Sequence, residues 1–166
     1  EGYSKRLNYI GMYLTWTGFL IYRQQGHKED IGQFNRPTLV SCNAISFRRE
    51  ILNKLGGFDE DYFMYLEDTD LCLRTILLGY KILYNPYAIL YHWSNSGINR
   101  NPNKEFIVNY YGCRNYIITL LKVLSLRNLL IILPIHICLW LVFGIIKKRL
   151  KYYIPAIVNV YYNYSK

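Results

Sequence analysis

No Cys-x-x-Cys pair, no Gly-rich phosphate loop, no internal repeat, no low-complexity tract and no N-terminal signal peptide occur in this 166-residue sequence. The four cysteines, Cys42, Cys72, Cys113 and Cys138, stand apart in apolar or helical surroundings. That spacing excludes short thiolate metal sites and redox pairs. It predicts buried free thiols, as in a reducing compartment. Without a Gly-rich turn between strand and helix there is no backbone cradle for a nucleotide's phosphates. Acidic side chains are nearly missing beyond residue 95. There the chain carries ten Lys and Arg against Glu105 alone, whereas residues 1–95 carry ten of each sign. The entire net charge of +9 therefore sits in the C-terminal part.

What is present in quantity is apolar and aromatic. Hydrophobic residues make up 52% of the chain and 18 residues are Tyr, enough to build a core and leave apolar surface over. Leu129–Ile146 holds no charge, is interrupted by Pro134 and His136, and runs directly into Lys147, Lys148, Arg149 and Lys151. A basic cluster beside an apolar run matches anionic lipid head groups rather than nucleic acid. A single span from a cytosolic domain would carry those cations outside, against the positive-inside rule. An in-plane or re-entrant contact with the cytoplasmic face of the membrane is therefore expected. His136, inside that run, is expected to be a packed residue.

Along the chain, Met12–Tyr22 is β-prone and a polar loop follows, with His27 in it. Thr38–Phe47 reads as a strand. Arg48–Leu55 reads as a short helix stopped by Gly56–Gly57, and Glu67–Leu78 as a helix ended by Gly79. Lys81–Tyr84 and Ala88–His92 read as strands about an Asn85–Pro86 turn. Ser94–Asn103 reads as a boundary loop. Phe106–Leu124 is expected to be one helix, followed by the apolar run and an aromatic segment, Tyr152–Tyr164.

The chemistry concentrates in Gly56–Asp70. Asp59, Glu60, Asp61, Glu67, Asp68 and Asp70 interleave there with Tyr62, Phe63, Met64, Tyr65 and Leu66. Carboxylates beside aromatic walls suit a sugar site: the walls stack on the ring, and partial desolvation makes a carboxylate a better base. Asp70 is placed to cap the helix or to pair with Arg74 four residues on, and Asp59 and Glu60 to serve as loop and cap residues.

Several short stretches now fall in order: Ser41–Cys42–Asn43–Ala44, Gly56–Gly57–Phe58–Asp59–Glu60, Glu67–Asp68–Thr69–Asp70–Leu71, Arg74, Gly79–Tyr80, Pro86, His92 and Arg114–Asn115. This series resembles family 2 glycosyltransferases, closest to rhamnosyltransferase-like members, over about residues 38–116. The resemblance implies an α/β chain: a partial GT-A fold over 1–97, the acceptor-side half, and a helical, basic, membrane-associated tail over 98–166. It implies inverting transfer from a nucleotide-sugar donor to a hydroxyl of a lipid-linked or cell-envelope glycan. Asp68 would be the general base and Glu67 its support. His92 would complete a divalent-metal site for manganese or magnesium. Tyr65, Tyr62 and Trp93 would line the acceptor site, with core packing the other role open to each, and Arg114 would meet a diphosphate. The donor-binding half, with its Asp-x-Asp motif, is not in this sequence. It is expected on another chain or in a longer protein of which this is the C-terminal fragment. The alternative is a non-catalytic remnant acting as a membrane-bound interaction module.

Overall fold

The computed structural model describes residues 11–22, 45–83, 85, 87–88 and 101–164. They fall into two compact units, one drawn from Glu1–Asp59 and Asp68–Ser94, the other from Glu60–Glu67 and Asn95–Lys166.

In the first unit, the β-prone stretch forms an antiparallel hairpin. Strands β1 (Met12–Leu14) and β2 (Leu20–Tyr22) pair Met12 with Tyr22, Tyr13 with Ile21 and Leu14 with Leu20. The turn closes through Thr15 N–H to the Phe19 carbonyl, 2.8 Å, and Phe19 N–H to Thr15 Oγ1, 2.9 Å. Helix α1 (Arg49–Leu55) ends where the glycines predict. Gly56 adopts φ 73°, and Gly57 N–H reaches back to the Leu52 carbonyl at 3.1 Å. That six-to-one bond closes a Schellman motif, which a side chain with a Cβ enters only at a cost.

Helix α2 (Glu67–Leu77) ends the same way, with Gly79 at φ 84° and Tyr80 N–H on the Thr75 carbonyl at 3.2 Å. The two helices are tied by Arg74. Its Nε donates to Asp70 Oδ2 at 2.8 Å, Nη1 to the Leu55 carbonyl at 2.7 Å and Nη2 to the Gly57 carbonyl at 2.9 Å. The pairing expected of Asp70 is thus present, with the carboxylate only 1% exposed. Arg74 also closes the end of α1, which spacing alone does not reveal.

The second unit is helical. The stretch expected as one helix is instead α3 (Lys104–Phe106), a π-helical turn (Ile107–Tyr111) and α4 (Gly112–Val123). The π turn sets Phe106 stacked on Tyr110 at 4.9 Å, with Tyr111 edge-on to both. Helices α5 (Leu126–Ile146) and α6 (Leu150–Tyr164) follow. The core of this unit is Tyr62, Cys113, Ile117, Ile118, Tyr153, Ala156 and Val160, with Leu133 and Trp140 of α5 against it. His136 is buried beside the Tyr116 ring, 5.3 Å between centroids. Gly144 lets α6 approach α5: a Cβ there would meet Leu150 Cδ2 at 2.8 Å and Tyr153 Cδ2 at 2.9 Å.

Several expectations change. Residues 45–47 are not strand, and 38–44 lie outside the described residues. Within Lys81–Tyr84 only Leu83 makes a strand-like bridge, and Tyr84 lies outside the described residues. Of Ala88–His92 only Ala88 is described, and it hydrogen-bonds in a turn to Asn85. Cys72 and Cys113 are buried free thiols, but Cys138 is exposed on α5, and Cys42 lies outside the described residues. Burial alone pushes the Cys113 thiol up to about 12.

Two substitutions test these supports. Arg74→Leu removes the guanidinium from a buried carboxylate and from the end of α1, and should cost about 3–5 kcal/mol. A loss under about 1 kcal/mol in urea denaturation would show the bonds to be incidental. Gly144→Ala should cost about 1–3 kcal/mol by overpacking against the Tyr153 ring, read as a lowered thermal midpoint.

Candidate active site

Residues 60–66 lead into the first turn of α2, which begins with Glu67 and Asp68. A 3-10 turn (Glu60–Tyr62) opens the segment. Then Phe63, Tyr65 and Leu66 take φ values of 56°, 68° and 65°. None is glycine or asparagine, so the left-handed region costs each about 1–2 kcal/mol. Such backbone persists only where its surroundings over-determine it, and it clusters at functional sites.

The surroundings are supplied by α4. Asn115, fully buried, donates from Nδ2 to the carbonyls of Tyr62 at 2.8 Å, Met64 at 2.7 Å and Tyr65 at 2.8 Å. An amide has two N–H groups, so one is shared between two of the three carbonyls. Its Oδ1 accepts from Arg114 Nη1 at 2.8 Å. The opposite rotation would set that oxygen against three carbonyl oxygens, so the orientation is dictated chemically. Arg114 Nη1 also donates to the Asp61 carbonyl at 2.6 Å and Nε to Asn159 Oδ1 of α6 at 2.8 Å. Tyr164 donates its hydroxyl to Asp61 Oδ2 at 2.7 Å. Thr119 commits its single proton to the Asn115 carbonyl, 2.8 Å away, so the Tyr62 hydroxyl donates to Thr119 Oγ1 at 3.0 Å. Leaving the buried Tyr62 carbonyl unsatisfied would cost about 1–3 kcal/mol.

Glu67 and Asp68 are half-buried. Asp68 Oδ1 accepts from Thr69 N–H at 2.7 Å and Thr69 Oγ1 at 3.2 Å, which fixes the carboxylate at the helix start. The first turn of a helix favours negative charge. Tyr65 is half-buried, and its phenol is raised above the ordinary value, first by desolvation and then by the Glu67 carboxylate. It therefore stays a hydrogen-bond donor throughout the neutral range. Phe63, 69% exposed, lies 5.1 Å from the Tyr111 ring, giving an open aromatic surface on the same segment.

The expected site residues part company here. Tyr62 is fully buried, with Lys122 Nζ 4.7 Å from its ring centroid, so it packs the core and presents nothing to a substrate. Arg114 commits its guanidinium to Asp61, Asn115 and Asn159, and its Cζ lies 5.8 Å from the Tyr164 ring centroid. His92 and Trp93 lie outside the described residues, as does His27. Among the described residues no three His, Cys, Asp or Glu side chains cluster to hold a metal ion. The expected manganese or magnesium site rests on His92, which is not among those residues. Sequence reasoning missed the parts played by Asn115 and Tyr111. The signal for Asn115 was an Arg–Asn pair within a mostly apolar helix, since a buried amide must have partners.

No family model and no solved structure matches the chain. Curated relatives do. The chain is 36% identical over 96 residues to an N-acetylglucosaminyl-diphospho-decaprenol L-rhamnosyltransferase of Mycobacterium tuberculosis, covering 57% of this chain and 29% of that protein. It is 45% identical over 94 residues to rhamnosyltransferase WbbL of Escherichia coli, covering 55% of this chain and 35% of that protein. A pre-mycofactocin glycosyltransferase of M. tuberculosis is 37% identical over 70 residues, covering 38% of this chain and 15% of that protein. The chain thus spans about a third of the length of the two rhamnosyltransferases. These likenesses support a glycosyltransferase family for the chain.

Proposed function

We propose that the chain supplies the acceptor-side half of an inverting family 2 glycosyltransferase of GT-A type, with a lipid-linked or cell-envelope glycan as acceptor. One observation carries the reading. A half-buried Glu67–Asp68 pair stands at a helix N-terminus, fed by a left-handed segment that costs energy to keep. In this scheme the acceptor hydroxyl approaches Asp68. The carboxylate takes its proton as the oxygen attacks the anomeric carbon, the bond to the nucleotide diphosphate breaks, and configuration inverts. No protein nucleophile is needed. Thr69 orients the base, while on the preceding segment Tyr65 is a neutral donor and Phe63 an exposed ring on which a sugar could stack. Rhamnose as the transferred sugar is favoured by the names of two relatives.

Binding the nucleotide sugar falls to a donor half outside this sequence. A divalent metal would belong with that half, and His92 is the position this chain would contribute to it.

The tail bears on where the acceptor is met. Helix α5 is long and apolar enough to cross a membrane by length and composition. Leu126, Leu130, Ile131, Ile135, Val142 and Ile146 are all more than half exposed, so one flank of the helical unit has no protein cover among the described residues. With Lys147, Lys148, Arg149 and Lys151 at its end, we read this flank as lying on the cytoplasmic face of a membrane, near a lipid-linked acceptor.

Asp68→Asn, in the enzyme reconstituted with a donor-binding half, should lower kcat by about 10²–10⁴-fold. Donor affinity should stay within about twofold. Near-normal turnover would remove Asp68 from the base role. Replacing the four tail cations with Gln should weaken flotation with anionic vesicles by about a thousandfold, from about 1 kcal/mol for each. Equal flotation of wild type and variant would sink the membrane reading.

A further inference from the structure

Asn115 has no place in the chemistry above, yet its amide nitrogen meets three backbone carbonyls inside the helical unit. We propose that Asn115 is a positioning residue: its carboxamide holds the left-handed segment 63–66 and so sets how the chain enters Glu67, the first residue of α2. The function of that positioning rests on the reading of Asp68 as the base; the grip itself does not.

Four facts support it. Asn115 is 0% exposed, so its donors have no water to fall back on. Its Nδ2 meets the Tyr62, Met64 and Tyr65 carbonyls, which bracket the left-handed residues Phe63 and Tyr65. Arg114 fixes the amide's orientation through Oδ1 and grips the Asp61 carbonyl just before. Asparagine is also a poor interior residue for a helix, so propensity does not account for it at this position of α4.

The position is chemically narrow. Leucine would keep the volume and lose both donors, aspartate would face three carbonyls with another oxygen, and alanine would leave a cavity. The π turn before α4 matters for the same reason. It places Tyr111 against Phe63, so one short stretch of helix supports the segment by a ring contact and by hydrogen bonds.

The test compares wild type, Asn115→Leu, Arg114→Gln and Tyr153→Phe. The last removes a buried bond to Asn109 in the same core and leaves the hydrogen bonds of Asn115 to the segment in place. Amide hydrogen exchange is read on the 166-residue chain. Amides of residues 63–66 should exchange at least about tenfold faster in Asn115→Leu, less so in Arg114→Gln, and unchanged in Tyr153→Phe. If Asn115→Leu does not fold, Arg114→Gln against Tyr153→Phe decides. Unchanged exchange in the Asn115 and Arg114 variants, or equal acceleration in Tyr153→Phe, overturns the grip.

In the enzyme reconstituted with a donor half, Asn115→Leu should lower kcat about tenfold or more, with acceptor KM and donor affinity within about twofold. A loosened segment with unchanged kcat overturns the positioning role. If wild type itself transfers no sugar, the glycosyl-transfer reading falls, and hydrogen exchange by itself still decides whether Asn115 grips the segment.

Discussion

The carboxamide of Asn115 on three backbone carbonyls is the interaction on which the path of the chain through residues 62–66 depends. Without it, Phe63, Tyr65 and Leu66 have no reason to stay left-handed, because bulky side chains favour the right-handed or extended regions. With it, the segment turns so that Tyr62 enters the core and Phe63 stays outside. Arg114, Asn159 and Tyr164 then complete the hold at Asp61, so α4 and α6 act together on one short stretch of chain. Strain, burial and hydrogen bonding agree on a single backbone path.

The same helices explain the unevenness of the tail. Tyr153, Ala156 and Val160 of α6 meet Cys113, Ile117 and Ile118 of α4, while α5 contributes only part of one side. A helix that is apolar all round but buried along one stripe exposes the rest. Gly144 at one end and His136 beside Tyr116 in the middle are where α5 engages its neighbours. The outward Leu and Ile residues are the part that the proposed membrane contact would cover.

What the sequence made legible was local. Gly56, Gly57 and Gly79 end their helices because glycine enters the left-handed region freely. The i,i+4 spacing of Asp70 and Arg74 correctly announces their pairing. The path of residues 63–66 was not legible, since Phe, Tyr and Leu carry no signal for positive φ and the cause sits about fifty residues on, in α4. The fate of Tyr62 was hidden for the same reason: its neighbours Thr119 and Lys122 are remote in sequence. The single helix expected over Phe106–Leu124 misses the π turn, because periodicity is blind to one extra residue per turn.

A crystal structure of Asn115→Leu would test most directly the claim that α4 dictates the path of the chain into Glu67. The expected result is that at least Tyr65 and Leu66 leave the left-handed region and Glu67 frays from the start of α2, while the contacts of α4 with α6 persist. Retention of φ near 68° and 65° at those two residues, with Asp68 still held by Thr69, would contradict it.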